Sequence, residues 1–198
     1  MPISINSRAK ITINSNVNVD INYPGNWVFP FNMSLTTIDS PDSGGTGINL
    51  GMKFKSDKPG YIKQARFWKT TGNTGSHVAT LYDNSGNVLN TSNYNNETAT
   101  GWQSTTFTAS TFISANTVYV ISLFVPMQQA PNVYYFSNAS WFTTSNNNYV
   151  KTGNLYAVYD DGPDGPNGVY IYGNSPAFPT SSLSGTWYSI DVLIDDNP

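Results

Sequence analysis

The chain has 198 residues, of which 11% are charged and none is cysteine, and its formal net charge is −3. Ordinary soluble domains carry roughly 25% charged residues; here Asn, Ser, Thr, Gly and Tyr take their place, and these favour strands and turns over helices. A pI near 4.8 argues against nucleic acid as a partner, which needs a basic stripe to displace counterions, and the lack of cysteine excludes disulfides and thiolate metal sites.

The first element is predicted from alternation. Ile11, Ile13, Val17, Val19, Ile21 and Tyr23 fall on odd positions, with Thr12, Asn14, Asn16, Asn18, Asp20 and Asn22 between them. That period of two marks a strand with one buried face. Pro24 and Gly25 punctuate it, and a second apolar stretch, Trp27 to Leu35, runs into a Ser/Asp/Gly linker at 39–47. The division expected there gives an N-terminal β arm at 1–40 and a β-sandwich domain at 41–198.

Short strand-like runs follow. They are Leu50–Phe54, Tyr61–Lys69, Val78–Tyr82, Val88–Tyr94, Trp102–Phe107, Thr117–Val125, Tyr134–Phe136, Leu155–Tyr159, Val169–Tyr172 and Trp187–Ile194. The segment Asp83–Asn87 reads as a hairpin turn, with Gly86 free to take positive φ. Thr117–Val125 is apolar on both faces, the pattern of a central strand. Many short strands, with no helix longer than a turn or two, predict an all-β antiparallel sandwich, jelly-roll-like, with an extended N-terminal strand.

From residue 48 onward the segments 50–89, 97–107, 115–126 and 167–182 resemble an uncharacterised domain family of secreted bacterial proteins, domain of unknown function four-thousand-eighty-two. The resemblance implies a β-sandwich module of the kind found beside Ig-like repeats or glycan-active catalytic domains. It carries over no catalytic residue.

The candidate sites are few. His77 is the single histidine, and without other ligands or a nucleophile it is expected to hydrogen-bond a neighbouring loop. No spaced carboxylate pair stands out as catalytic, so the chain is expected not to be an enzyme. Asp160, Asp161, Asp164 and Asn167 sit in one Gly-rich loop and offer the hard oxygens that calcium takes. No other cofactor is implied. Tyr134, Trp141, Asn146, Asn147, Asn148 and Tyr149 form the densest mix of aromatics and amides, the chemistry on which sugars dock. Tyr135 and Phe142, nearby, are assigned to the core; Trp141 and Tyr149 are assigned to the surface.

These readings lead to a structural or adhesive surface protein. No stretch is long and apolar enough to cross a membrane, and no apolar run of the export type follows Met1. The expected location is extracellular or on a particle, such as a virion carrying capsid decorations, fibres or tails. An isolated strand is not stable in water, so the arm is expected to pair with copies of the chain or with a larger assembly. A carbohydrate-binding module of a secreted glycan-degrading protein is the alternative, with a surface glycan as partner.

Overall fold

The computed structural model describes residues 26–29, 34–146 and 151–197. Within them lie fourteen strands: β1 (Asn26–Trp27), β2 (Ser40–Asp42), β3 (Ile48–Ser56), β4 (Gly60–Lys69), β5 (Val78–Asp83), β6 (Val88–Asn93), β7 (Gly101–Ile113), β8 (Tyr119–Val125), β9 (Val133–Tyr135), β10 (Lys151–Thr152), β11 (Leu155–Ala157), β12 (Val169–Tyr172), β13 (Ser181–Ser182) and β14 (Ile190–Asp195). The helical content described is one short 3-10 turn, Thr144–Asn146. The fold is the all-β antiparallel sandwich that the sequence predicts.

One sheet runs β1-β14-β4-β7 and the larger one β10-β11-β3-β8-β5-β6, with β12 also on β3 and β13 on β12; β2 and β9 form a separate pair. Strand alternation sets the core. Tyr119, Ile121, Leu123 and Val125 of β8 join the main core, whereas Val120 belongs to a satellite cluster with Tyr82 and Val169 on the other face. A central strand flanked by β3 and β5 buries both faces, hence its continuous apolar sequence. The expected hairpin is present: Gly86 has φ 88°, and Asp83 accepts from the backbone N–H groups of Ser85 and Asn87, both at 2.9 Å.

Trp187 is fully buried. It stacks on Phe29 at 4.3 Å between ring centres and meets Trp141 at 4.7 Å and Phe136 at 5.6 Å. Phe29 comes from the segment predicted as arm, so residues 26–29 of that segment lie in the sandwich. A buried ion pair fixes them there. Arg66 on β4 donates to Asp191 Oδ2 through Nε at 3.0 Å and Nη2 at 2.7 Å, and to the Phe29 carbonyl at 2.8 Å. Asp191 also accepts from the backbone N–H groups of Val28 at 2.8 Å and Phe29 at 3.2 Å. The guanidinium lies 4.3 Å from the Trp27 ring centre and 4.2 Å from that of Trp102, a planar cation between two aromatic faces.

The chain also packs on the sandwich just before residue 40. Trp68 Nε1 donates to the Thr36 carbonyl at 2.9 Å, and Thr71 N–H to that of Thr37 at 3.0 Å. The predicted arm residues Ile11, Ile13, Val17, Val19, Ile21 and Tyr23 lie outside the described residues.

The register defines two ends. Asn26 faces Ile194 and Tyr61 faces Asp195, so both chain extensions leave at one end, the terminal pole. At the other end Ile190 faces Phe67. Here β4 gives way to the loop 70–77, near the β2–β9 pair. From Ile190 to Ile194 the strand rise of ~3.3 Å per residue spans about 13 Å. This loop pole is where the candidate site lies.

Candidate functional site

At the loop pole, β2 and β9 pair with Ser40 opposite Tyr135 and Asp42 opposite Val133. β12 adds two more tyrosines, because alternation puts Tyr170 and Tyr172 on one face and Val169 on the other. Tyr188 stands just before β14. The four rings meet edge to face in two pairs, Tyr135 with Tyr188 at 5.8 Å and Tyr170 with Tyr172 at 5.8 Å.

Asp42 is the centre of the cluster. Tyr135 Oη donates to its Oδ2 at 3.0 Å and Tyr172 Oη to the same oxygen at 2.6 Å. The Gly44 backbone N–H donates to Oδ1 at 3.0 Å. Gly44 must be glycine for Tyr172 to lie this close, since a Cβ there would come within 2.4 Å of the ring. Beside the cluster Ser137 Oγ donates to Ser40 Oγ at 2.8 Å.

The cluster is graded in exposure. Tyr188 is buried, Tyr135, Tyr170 and Asp42 are half-buried, and Tyr172 is 42% exposed. Burial first, then the hydrogen bond to Asp42 and its charge, pushes the Tyr172 hydroxyl up to about 12. Burial and the charge of Asp42 raise Tyr135 as well, and burial followed by neighbouring tyrosines raises Tyr188. The Tyr135 and Tyr172 hydroxyls therefore stay protonated and act as donors at neutral pH. Aromatic edges, neutral hydroxyls and one carboxylate at a partly open surface are suited to holding a polyhydroxylated ligand.

Of the sequence-predicted glycan residues, Tyr134, Trp141 and Asn146 are among the described residues, and each sits in its own setting. Tyr134 neighbours Tyr135 on β9, but its backbone N–H donates to Gln128 Oε1 at 2.7 Å and its ring lies near Gly72. Trp141 is half-buried against Trp187, which corrects its assignment to the surface: the apolar face of Trp187 needs cover, and Trp141 supplies it. Asn146 ends the short 3-10 turn, and Asn147, Asn148 and Tyr149 lie outside the described residues. Phe142 is buried, as assigned. Tyr135, assigned to the core, packs against it with its ring and turns its hydroxyl to Asp42.

The side chains of the acidic loop are engaged by protein donors. Asp160 Oδ1 accepts from the Asn167 backbone N–H at 3.0 Å, Asp161 from Thr144 Oγ1 at 2.5 Å, and Asp164 from Lys55 Nζ at 2.8 Å. Buried Asn167 accepts from the Lys53 N–H at 2.8 Å and donates to the Val158 carbonyl at 2.7 Å. Each of the four residues expected to offer oxygens to calcium has a protein partner here, Asp160 and Asn167 being partners of each other. Among the described residues no group of three or more Asp, Glu or His is placed to hold a metal ion.

His77 is buried and faces a carboxylate from the loop before β7, as expected of a loop contact. Its Nδ1 lies 2.8 Å from Glu97 Oε1 and its Nε2 2.7 Å from Asn73 Oδ1. Lys69 Nζ donates to Glu97 Oε2 at 2.8 Å. Burial opposes the charge on Glu97, but the bonds from His77 and Lys69 outweigh it and hold the carboxyl below its ordinary value.

The fold and this cluster define an all-β sandwich module with a tyrosine and carboxylate face at the pole opposite its chain extensions. The chain belongs to the family described as Domain of unknown function (DUF4082), whose model matches residues 35–190. The match begins ahead of the resemblance at residue 48 and takes in Asp42. No curated protein matches the chain.

Proposed function

We propose that this chain is a non-catalytic adhesive module that binds a glycan through Tyr135, Tyr170, Tyr172 and Asp42. One observation carries the reading: two tyrosine hydroxyls meet one carboxylate oxygen on a half-open face. Sugars present apolar C–H faces and many hydroxyls, which aromatic rings and carboxylate oxygens match. The test is a broad glycan array with the wild type and Tyr172→Ala. Binding to one glycan class, lost in Tyr172→Ala with the unfolding temperature kept, is expected. A wild-type array without signal overturns the reading.

Surface display completes it. The tyrosine face lies at the pole away from Asn26 and Asp195, so an anchor at the chain extension would leave the face outward. In this reading the N-terminal segment joins the module to copies of itself or to a larger particle, outside the cell or on a virion, without inserting in a membrane. Among the described residues no helix is long and apolar enough to cross one. Removing residues 1–24 should convert an assembly into monomers by light scattering while the unfolding temperature holds, because the Arg66–Asp191 clamp grips residues 28 and 29 beyond the cut. An unchanged native mass removes the anchor from the proposal.

A further inference from the structure

We infer that the glycan held at Asp42 carries positive charge, and that amino sugars with free amines are the class the cluster fits; this rests on the glycan reading above. A carboxylate accepts about four hydrogen bonds, and Asp42 receives three, two from tyrosine hydroxyls and one from the Gly44 N–H. All three donors are neutral. Among the described residues no Lys, Arg or His forms an ion pair with it, whereas Lys55, Lys63, Arg66, Lys69 and Lys151 each pair with another carboxylate. Asp39, three residues earlier, is likewise met by a backbone donor, the Gly72 N–H at 2.9 Å. Among the described residues the local charge is therefore negative and without an ion-pair partner.

The rings add to it. The face of an aromatic ring is the negative side of its quadrupole and attracts a cation within about 6 Å of the ring centre. Tyr172 is the exposed ring of the cluster, at 42%, and its hydroxyl is already committed to Asp42 at 2.6 Å. What the site still offers is acceptor capacity, negative charge and a ring face. A neutral sugar would use the first and the third. A uronic or sialic acid would meet repulsion. An ammonium group uses all three, donating to Asp42 while lying over Tyr172.

Chitosan, chitin and cellulose oligomers of one length separate these cases, since they share a linkage and differ at a single carbon: amine, acetamide or hydroxyl. Titration calorimetry at mildly acidic pH and low salt should show the chitosan oligomer binding about tenfold more tightly than the other two. The gap should close in high salt and in Asp42→Asn, and narrow only in part in Asp39→Asn. The salt dependence needs no variant, so it decides the matter even where a substitution disturbs folding. Equal binding of the three oligomers, or tighter binding of oligogalacturonate, overturns the charge inference and leaves the glycan reading standing. Binding of none of these oligomers, together with a silent glycan array, removes both.

Discussion

Asp191 and Asp42 are both met by converging donors, but the donors differ in kind. Asp191 is fully buried and takes the Arg66 cation together with the backbone N–H groups of Val28, Phe29 and Val192. Asp42 is half-buried and takes two tyrosine hydroxyls and one backbone N–H. A carboxylate in an apolar interior is tolerated when its charge is matched and its lone pairs are filled. Asp191 satisfies both conditions, so it holds the fold and has nothing left to offer. Asp42 satisfies the second in part and the first not at all. The same functional group closes one region and leaves the other chemically open.

The comparison breaks most visibly at the closed site. Arg66→Met should cost about 3–5 kcal/mol, because Asp191 would stay buried without its cation. Urea unfolding reads this directly. Replacing both partners, Arg66→Met with Asp191→Leu, should recover only part of the loss: the apolar pair needs no counter-charge, but it removes the acceptor of the Val28 and Phe29 N–H groups and the donor to the Phe29 carbonyl. A single-variant loss below about 1 kcal/mol would mean that the backbone donors alone hold the carboxylate.

Glu97 provides an intermediate case, partly screened and paired with Lys69 and His77. Its folded pKa lies below the ordinary value of 4.5. Its contribution to stability is therefore complete above that value and is lost as the pH falls through the folded pKa. The wild type should lose unfolding midpoint on acidification more steeply than Glu97→Gln. Parallel pH curves would show that the network adds no linkage.

The smallest effect on stability is expected at Asp42. Asp42→Asn keeps an acceptor for the tyrosines at a partly solvated position, and should shift stability by less than about 1 kcal/mol. A loss as large as that of Arg66→Met would place Asp42 among the residues that hold the fold, and the contrast between the two aspartates would collapse.

The strands were legible because alternation is local. β8 announced its central position through Val120 and Ile121, apolar on opposite faces, and the β5–β6 hairpin through Gly86. The pairs that matter for the sites are not local. Tyr172 and Asp42 are 130 residues apart, and Arg66 and Asp191 are 125 apart, so no spacing in the sequence links them. Tyr135 was hidden by its neighbours: Val133 and Phe136 are buried, and a tyrosine among them reads as core. Trp141 misled for the opposite reason. Its polar surroundings suggested a surface, while the ring that covers it, Trp187, comes from the far end of the chain. The partners of the acidic loop are not legible for the same reason: its carboxylates are close in sequence, whereas Thr144 and Lys55, which donate to Asp161 and Asp164, are 17 and 109 residues away.

The pairing of Asn26 with Ile194 has a mechanical consequence. Chain leaving the module on either side leaves from the same end of two antiparallel strands. Tension applied between those two sides would load the β1–β14 bonds one after another, as a zipper is opened, rather than all together in shear. Two residue pairs would part first, Asn26 with Ile194 and then Trp27 with Leu193. The Arg66–Asp191 clamp stands next in line, where charge and hydrogen bonds are concentrated within three residues of the opening. The module would therefore yield its first strand at low force and then stop, held at the position where its chemistry is densest.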